Sequence, residues 1–303
     1  MVSHTAPFFT VVVPTYNRAD LISTTLASLQ NQNYDNYEII IVDDGSTDNT
    51  SLVVQPFLND RTVYVKKENS ERAASRNFGA RLAKGDYVNF FDSDDVALPN
   101  HLSEAAKLIK QHLEAQWFHI GYAWATPNQK IFKQVNNFKG ETLNSIMHFG
   151  NSLSCNGVFV RKDIILSNPF NESRDLSASE DYELWLRLSA RYPLLYSNEI
   201  TSLVIDHDFR SVRKTSLDKL EKRVNLLLLC LQEDQFVTSY FGKRLSEIKT
   251  DLLSYVSLHT AHEKRHKVKS FDYLLRTLSI NPKFIFRRRF YAILKKLVIG
   301  WEM

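Results

Sequence analysis

Cysteine is almost absent from this chain. Cys155 and Cys230 are the only two in 303 residues, and they lie far apart and outside any metal-ligand spacing. That excludes a disulfide framework and a cysteine-based zinc site. Both thiols read as small buried hydrophobes of a protein kept in a reducing cytosol. Long apolar runs are also missing. The longest, at 226–231 and 297–299, fall far short of the roughly 18 residues that a membrane-spanning helix needs. Residues 1–8 lack the basic and apolar regions of a signal peptide, so the expected location is cytoplasmic. No internal repeat or low-complexity segment occurs.

What is present fits an ordinary globular chain, long enough for one large α/β domain or for a main domain with an appendage. Its charge is uneven. The net is +4, yet from Lys264 to the end there are eleven Lys/Arg against Asp272 and Glu302. The rest of the chain is therefore acidic, which argues against nucleic acid as a partner despite the basic tail.

Residues 9–13, 38–42, 62–65 and 87–91 are short β-branched or aromatic runs. Between them lie helical spacings, one carrying Leu21, Thr25, Leu26 and Leu29, another Ala74, Phe78, Leu82 and Ala83. The alternation predicts parallel βαβ units, and the near-continuous apolar strands suit a sheet covered on both faces. The middle region, about 115–213, mixes short strands and loops. From Lys214 onward the pattern turns helical, basic and aromatic. The expected division is 1–213, with nucleotide binding over about 1–110 and acceptor binding over about 111–213, followed by a helical region at 214–303.

Polar clusters follow three of the strands: Pro14-Thr15-Tyr16-Asn17, Asp43-Asp44-Gly45-Ser46 and Asp92-Ser93-Asp94-Asp95. In an open parallel sheet all three would meet at the carboxyl edge, where α/β folds bind ligands. Carboxylates packed as densely as Asp92-x-Asp94-Asp95 call for a compensating cation, and hard oxygen ligands select Mn²⁺ or Mg²⁺ beside substrate phosphates. Asp43-Asp44-Gly45 reads either as a turn or as an acceptor for a nucleobase N–H, and Ser46 as a helix cap. Arg72 and Arg76, four apart, are either solvated charges or phosphate partners. Ser177 with Glu180 reads as a capping box, and Ser179 as an equally good cap. Glu180 and Asp181 favour the helix dipole, and a carboxylate held there can also accept a proton from an attacking hydroxyl. His207, between two aspartates after an apolar run, is a strand-end histidine or an imidazole ligand.

At these residues the chain resembles the family 2 glycosyltransferases, inverting enzymes with the GT-A fold. The resemblance runs from about Phe9 to His207. It rests on V-V-V-P-T-Y-N-R at 11–18, I-I-I-V-D-D-G-S-T-D at 39–48, R-N-F-G-A at 76–80, K-G-D-Y-V-N-F-F-D-S-D-D at 84–95 and E-D-Y-E-L-W-L-R at 180–187. It implies an α/β, Rossmann-like, mostly parallel sheet flanked by helices and a nucleotide-sugar donor, usually a UDP-sugar. The implied enzyme is a hexosyl- or N-acetylhexosaminyltransferase of polysaccharide or glycoconjugate synthesis acting on a saccharide or lipid-linked acceptor. Carried over by position, Pro14, Thr15, Tyr16 and Asn17 line the nucleotide pocket with Asp43 and Asp44 at the base. Arg72 and Arg76 lie near the ribose or diphosphate, with Asp92 and Ser93 beside them. Asp94, Asp92 and His207 hold the metal, and Asp181, next to Glu180, is the catalytic base. The family often has glycines where this chain has Ser70-Glu71-Arg72, so the resemblance leaves that loop's conformation open. Loops at 117–124 and 151–156 are expected to choose the acceptor.

A nucleotidyltransferase would also use clustered aspartates, but it would carry a Gly-rich basic loop where this chain has Pro-Thr-Tyr-Asn-Arg. In the tail, Phe286, Phe290, Ile293, Leu294, Leu297, Val298 and Trp301 share a helical face flanked by Arg and Lys. Such a face suits peripheral contact of 284–301 with the cytosolic side of the inner membrane, or packing on the protein itself or on a second subunit in a homodimer.

Overall fold

The computed structural model describes residues 6–208, 216–261 and 266–299. In chain order the elements begin β1 Phe9–Thr15, α1 Ile22–Gln30, β2 Tyr37–Asp43, α2 Thr50–Val54, β3 Thr62–Lys66, α3 Glu71–Leu82, β4 Tyr87–Phe90, β5 Val96–Ala97 and α4 His101–Gln111. They continue with β6 Trp117–Ala125, β7 Ile131–Val135, β8 Val158–Arg161, α5 Lys162–Ser167, α6 Glu180–Ser189 and β9 Leu194–Ile205. The remainder is helical: α7 Leu217–Glu233, α8 Gln235–Phe241, α9 Leu245–Thr260, α10 Lys267–Ile280 and α11 Arg288–Ile299. Two compact units result. One comprises 1–144, 152–184 and 192–210; the other comprises 145–151, 185–191 and 211–303. The boundary expected at 213/214 falls on residues outside the described ones.

In the first unit the sheet order is β3-β2-β1-β4-β8-β6-β9-β5, with β7 beside β6. The first four strands of that order are parallel, as the βαβ pattern predicts. β8 then pairs antiparallel with both β4 and β6, so the sheet is mixed beyond this point. β1 and β2 are buried along their whole length, which is why their sequences read as unbroken Val/Ile runs. β3 lies at one edge of the sheet, and its Val63 faces solvent.

Two expectations are corrected here. Residues 117–124 are not a loop. They form β6, a buried strand flanked by β8 and β9, because Phe118 and Ile120 belong to the core beneath β1. In α3 the buried face is Ala73, Ala74, Arg76, Asn77, Gly79 and Ala80, whereas Leu82 is exposed. Close approach decides this face: a Cβ at Gly79 would stand 2.3 Å from Val12, so α3 lies on β1 through its smallest residues.

The second unit is built from helices, with Leu220, Val224, Leu253, Val256 and Tyr273 at one centre. A second centre joins Ala261, Leu274, Phe284, Ile293 and Leu297, with Phe290 and Leu294 packed against it. Most of the apolar face expected to meet a membrane is thus buried within this unit. Trp301 lies outside the described residues. No helix among the described residues is long and apolar enough to cross a membrane. Neither cysteine forms a disulfide; Cys155 is buried and Cys230 half-buried.

Candidate active site

Strand register brings the three polar clusters together. Thr15 pairs with Asp43, and Val12 with Phe90, so the loops after β1, β2 and β4 leave the sheet side by side. Hydrogen bonds then join the loops. Asn17, in a left-handed conformation, donates its N–H to Ser46 Oγ at 2.9 Å and accepts the Thr47 N–H at 2.8 Å. Ser46 is therefore a loop tie and not a helix cap. The cap position of α2 falls to Asn49, beside Asp48, which accepts from Ala19 and Thr50.

Asp43 is fully buried and faces inward. Its Oδ1 accepts the Ser46 N–H at 2.7 Å and its Oδ2 accepts the Tyr64 hydroxyl. A base N–H would have to share Oδ2 with Tyr64. Asp44 pairs with Lys67 and accepts the Ser70 N–H at 2.9 Å. The turn between them needs glycine: Gly45 has φ +81°, and a Cβ there would press on Asn69 N at 3.1 Å. Tyr16, 47% exposed, and Asn17 are the open members of the first cluster, while Pro14 and Thr15 are buried.

The third cluster divides its work. Asp95 is structural: its carboxylate accepts the Ile205 N–H at 2.8 Å and the Asn156 side chain at 2.7 Å. Asn156 also accepts the Asp92 N–H at 2.9 Å, which pins the whole turn, and Ser93 is buried within it. Asp94 Oδ2 lies 3.3 Å from Arg18 and 3.1 Å from His207 Nε2. Asp92 turns instead to Arg76, at 2.8 Å. Asp92, Asp94 and His207 are thus not one preassembled ligand set, and no group of three or more His, Cys, Asp or Glu among the described residues could hold a metal. The buried guanidinium takes Asp92 because a charge-assisted hydrogen bond out of water is strong.

Glu180 and Asp181 open α6. Ser177 donates its hydroxyl to Glu71 at 3.3 Å and Glu180 binds Arg76 at 2.7 Å, so the expected reciprocal capping box is not made. Arg72 lies 3.9 Å from Glu180. The two neighbouring carboxylates are driven apart in acidity. Burial would raise Glu180, but Arg72 and Arg76 outweigh it and hold the carboxyl below its ordinary range. Burial and then the Glu180 charge push Asp181 up to about 6, against the pull of Arg76. Such a split assigns a permanent charge to one group and proton exchange to the other.

The loop left open by Ser70-Glu71-Arg72 is now defined. Glu71 takes φ +74°, a glycine-favouring conformation held by a non-glycine residue. Its carboxylate meets Arg174 at 3.5 Å and Ser177 at 3.3 Å, and Arg174 also donates to the Asn69 carbonyl at 2.8 Å. The sequence gives Arg18 and Tyr64 no role of their own, and Asn156 only that of a residue in the 151–156 segment. Arg18 directly follows the first polar cluster. The roles of Tyr64 and Asn156 depend on pairings that no local pattern encodes.

Proteins similar to this chain in sequence and in fold are glycosyltransferases. The sequence profile described as "Glycosyl transferase family 2" matches residues 10–160. The Escherichia coli UDP-Glc:alpha-D-GlcNAc-diphosphoundecaprenol beta-1,3-glucosyltransferase WfgD is 31% identical over 180 residues, 59% of this chain and 68% of that protein. A Rickettsia bellii glycosyltransferase is 28% identical over 184 residues, 60% of this chain but only 26% of that longer protein. Among solved structures, S. aureus TarS 1-349 aligns with a TM-score of 0.70 at 21% identity over 96% of this chain and 88% of that chain. TarS has also been solved with UDP-GlcNAc and with UDP. The Pyrobaculum calidifontis mannosyltransferase PcManGT, in complex with GDP-Man and Mn²⁺, aligns with a TM-score of 0.54 at 15% identity over 99% of this chain and 88% of that chain.

Proposed function

The chain belongs to glycosyl transferase family 2, and from that premise we propose that it transfers a hexosyl or N-acetylhexosaminyl group from a UDP-sugar to a saccharide or lipid-linked acceptor with inversion at the anomeric carbon. One observation carries the reading. Arg76 pairs with both Asp92, of the aspartate turn read as the donor side, and Glu180, the neighbour of the proposed base Asp181, and this link between the two supports the reading.

In this reading the nucleotide occupies the carboxyl edge. Pro14, Thr15, Tyr16 and Asn17 flank the base with Asp43 and Asp44, and the exposed Tyr16 ring offers a stacking surface. A divalent cation, Mn²⁺ or Mg²⁺, fits the Asp94–His207 pair: an oxygen and a nitrogen ligand approach within 3.1 Å, and such ions complete their shell with phosphate oxygens and water. When bound, it neutralises charge on the departing diphosphate. Arg18 adds a fixed positive charge beside Asp94.

Asp181 accepts the proton of the attacking hydroxyl. The new bond forms from that oxygen to the anomeric carbon, the bond to the β-phosphate oxygen breaks, and the nucleoside diphosphate leaves with the electron pair. A single displacement inverts the centre. Calorimetric titration with UDP, UDP-glucose, UDP-GlcNAc and GDP-mannose, with and without Mn²⁺, tests the donor assignment. Metal-enhanced binding of a UDP species is the expected result, and absence of binding by every nucleotide would sink it.

A lipid-linked acceptor is supported by the reaction named for WfgD and by the surface of α11. Arg288, Tyr291, Lys295 and Val298 recur at helical spacing along its exposed face, with Phe286, 78% exposed, just before it. This stripe, and not the buried Ile293–Leu297 side, would lie on the cytosolic face of the inner membrane. Arg288→Gln/Lys295→Gln is expected to weaken binding to phosphatidylglycerol vesicles by roughly 30-fold, at about 1 kcal/mol per basic residue. Co-sedimentation at two salt concentrations checks this, and unchanged binding would refute the surface.

A further inference from the structure

Arg76 lies on α3 in the position where the family resemblance implies a ribose or diphosphate contact. Its surroundings are those of a different kind of residue. The side chain is 2% exposed, and its guanidinium stands 5.4 Å from the centre of the Phe170 ring. Nη1 donates to Glu180 Oε1 at 2.7 Å and Nη2 to Asp92 Oδ1 at 2.8 Å. Next to it, Asn77 donates to the Phe170 carbonyl and to Glu172 at 2.9 and 2.8 Å, and accepts the Phe170 N–H at 2.9 Å. Two consecutive residues of α3 thus hold the segment that leads to Asp181 at both of its ends.

We propose that Arg76 is a positioning residue that ties the base-bearing end of α6 to the aspartate turn after β4, acting on transfer through Glu180 and Asp92 and not on the donor's phosphates. The inference rests on the reading of Asp181 as the base. With its side chain 2% exposed and both Nη atoms turned to carboxylates, Arg76 is closed off from a diphosphate in solution, whereas Arg72, whose side chain is 32% exposed on the same helix face, keeps a solvent-reachable charge. Breaking a buried pair from one side leaves the other charge uncompensated, so the clamp should be felt in geometry and acidity together.

Arg76→Lys in the full chain is the test. Lysine keeps the charge but is a point donor that cannot span two carboxylates. Affinity for UDP with Mn²⁺ should stay within about threefold, because the donor's ligands are intact. Turnover should fall by about 50-fold or more with little change in KM, the pattern of a contact that matters in the transition state. The groups facing Asp181 include Glu180 on its own helix, Arg76 on α3, Asp92 after β4 and Cys155 before β8. Carboxyl ¹³C NMR should therefore show the Asp181 midpoint moving up from about 6 in Arg76→Lys, and further in Arg76→Gln if that variant folds. An unmoved midpoint, or UDP affinity lowered tenfold with turnover retained, would overturn the proposal. The NMR titration needs no substrate, so failure of wild type to bind UDP would count against the donor assignment alone.

Discussion

Asp181→Asn is expected to lower sugar transfer by about 100- to 10,000-fold while raising the melting temperature. The two effects share a cause. Burial and Glu180 push the Asp181 carboxyl up to about 6, so at pH 7 the folded protein carries an anion that it holds at a disadvantage. The native state binds the proton more tightly than the unfolded chain. Its stability therefore declines as pH rises from about 4 through 6, and asparagine removes that loss. At 1.36 kcal/mol per pKa unit the gain is on the order of 1–3 kcal/mol, a few degrees in Tm. Asparagine also keeps an oxygen for the Tyr182 N–H, which Asp181 Oδ1 now accepts at 2.7 Å. In wild type, kcat/KM should rise with pH through a midpoint near 6, and that limb should vanish in the variant. Differential scanning calorimetry with a pH–rate profile checks both halves. A variant that is both inactive and less stable would point to a purely structural aspartate.

Asp94→Ala is expected to abolish the response to Mn²⁺ and to lower kcat/KM by about 100-fold or more, since a Lewis acid on the leaving diphosphate contributes several kcal/mol. Its second consequence runs the other way. Asp94 stands between Arg18 and His207, at 3.3 and 3.1 Å, and its removal leaves two cationic or donor groups beside the place assigned to phosphates. UDP should then bind without metal at least as tightly as it binds metal-free wild type. Calorimetry with and without Mn²⁺ separates this from simple damage to the pocket, which would weaken both. Retained metal stimulation would move the cation away from Asp94.

How much of this was legible in the sequence depended on range. Parallel strands announce themselves, because β1 and β2 are buried on both faces and read as Val and Ile without interruption. The polar clusters follow those strands directly, so their meeting at the carboxyl edge needed only the parallel order. On α3 the helical spacing of Ala74, Phe78, Leu82 and Ala83 holds for the buried Ala74 and Ala83 and fails for the exposed Leu82, because contact with Val12 demands small residues and the buried side also carries Arg76 and Asn77. Residues 117–124 looked like a variable loop because no local pattern foretells that β8 inserts antiparallel between β4 and β6. That insertion also delivers Asn156 to Asp92 and Asp95, a role invisible without the fold. In the tail the amphipathic pattern was real but its partner was not encoded. Ile293 and Leu297 close on Leu274 and Phe284, leaving the narrower outer stripe to solvent.

A single displacement from a UDP-sugar, with Asp181 taking the proton, fixes which anomer is released. The most direct measurement follows the anomeric proton by ¹H NMR while wild type and Asp181→Asn slowly hydrolyse UDP-glucose or UDP-GlcNAc, α-linked donors, with Mn²⁺, water standing in for the acceptor. The β-anomer of the free sugar should appear first with wild type, before mutarotation, and the variant should release almost none. First appearance of the α-anomer, or release by the variant at the wild-type rate, would contradict it.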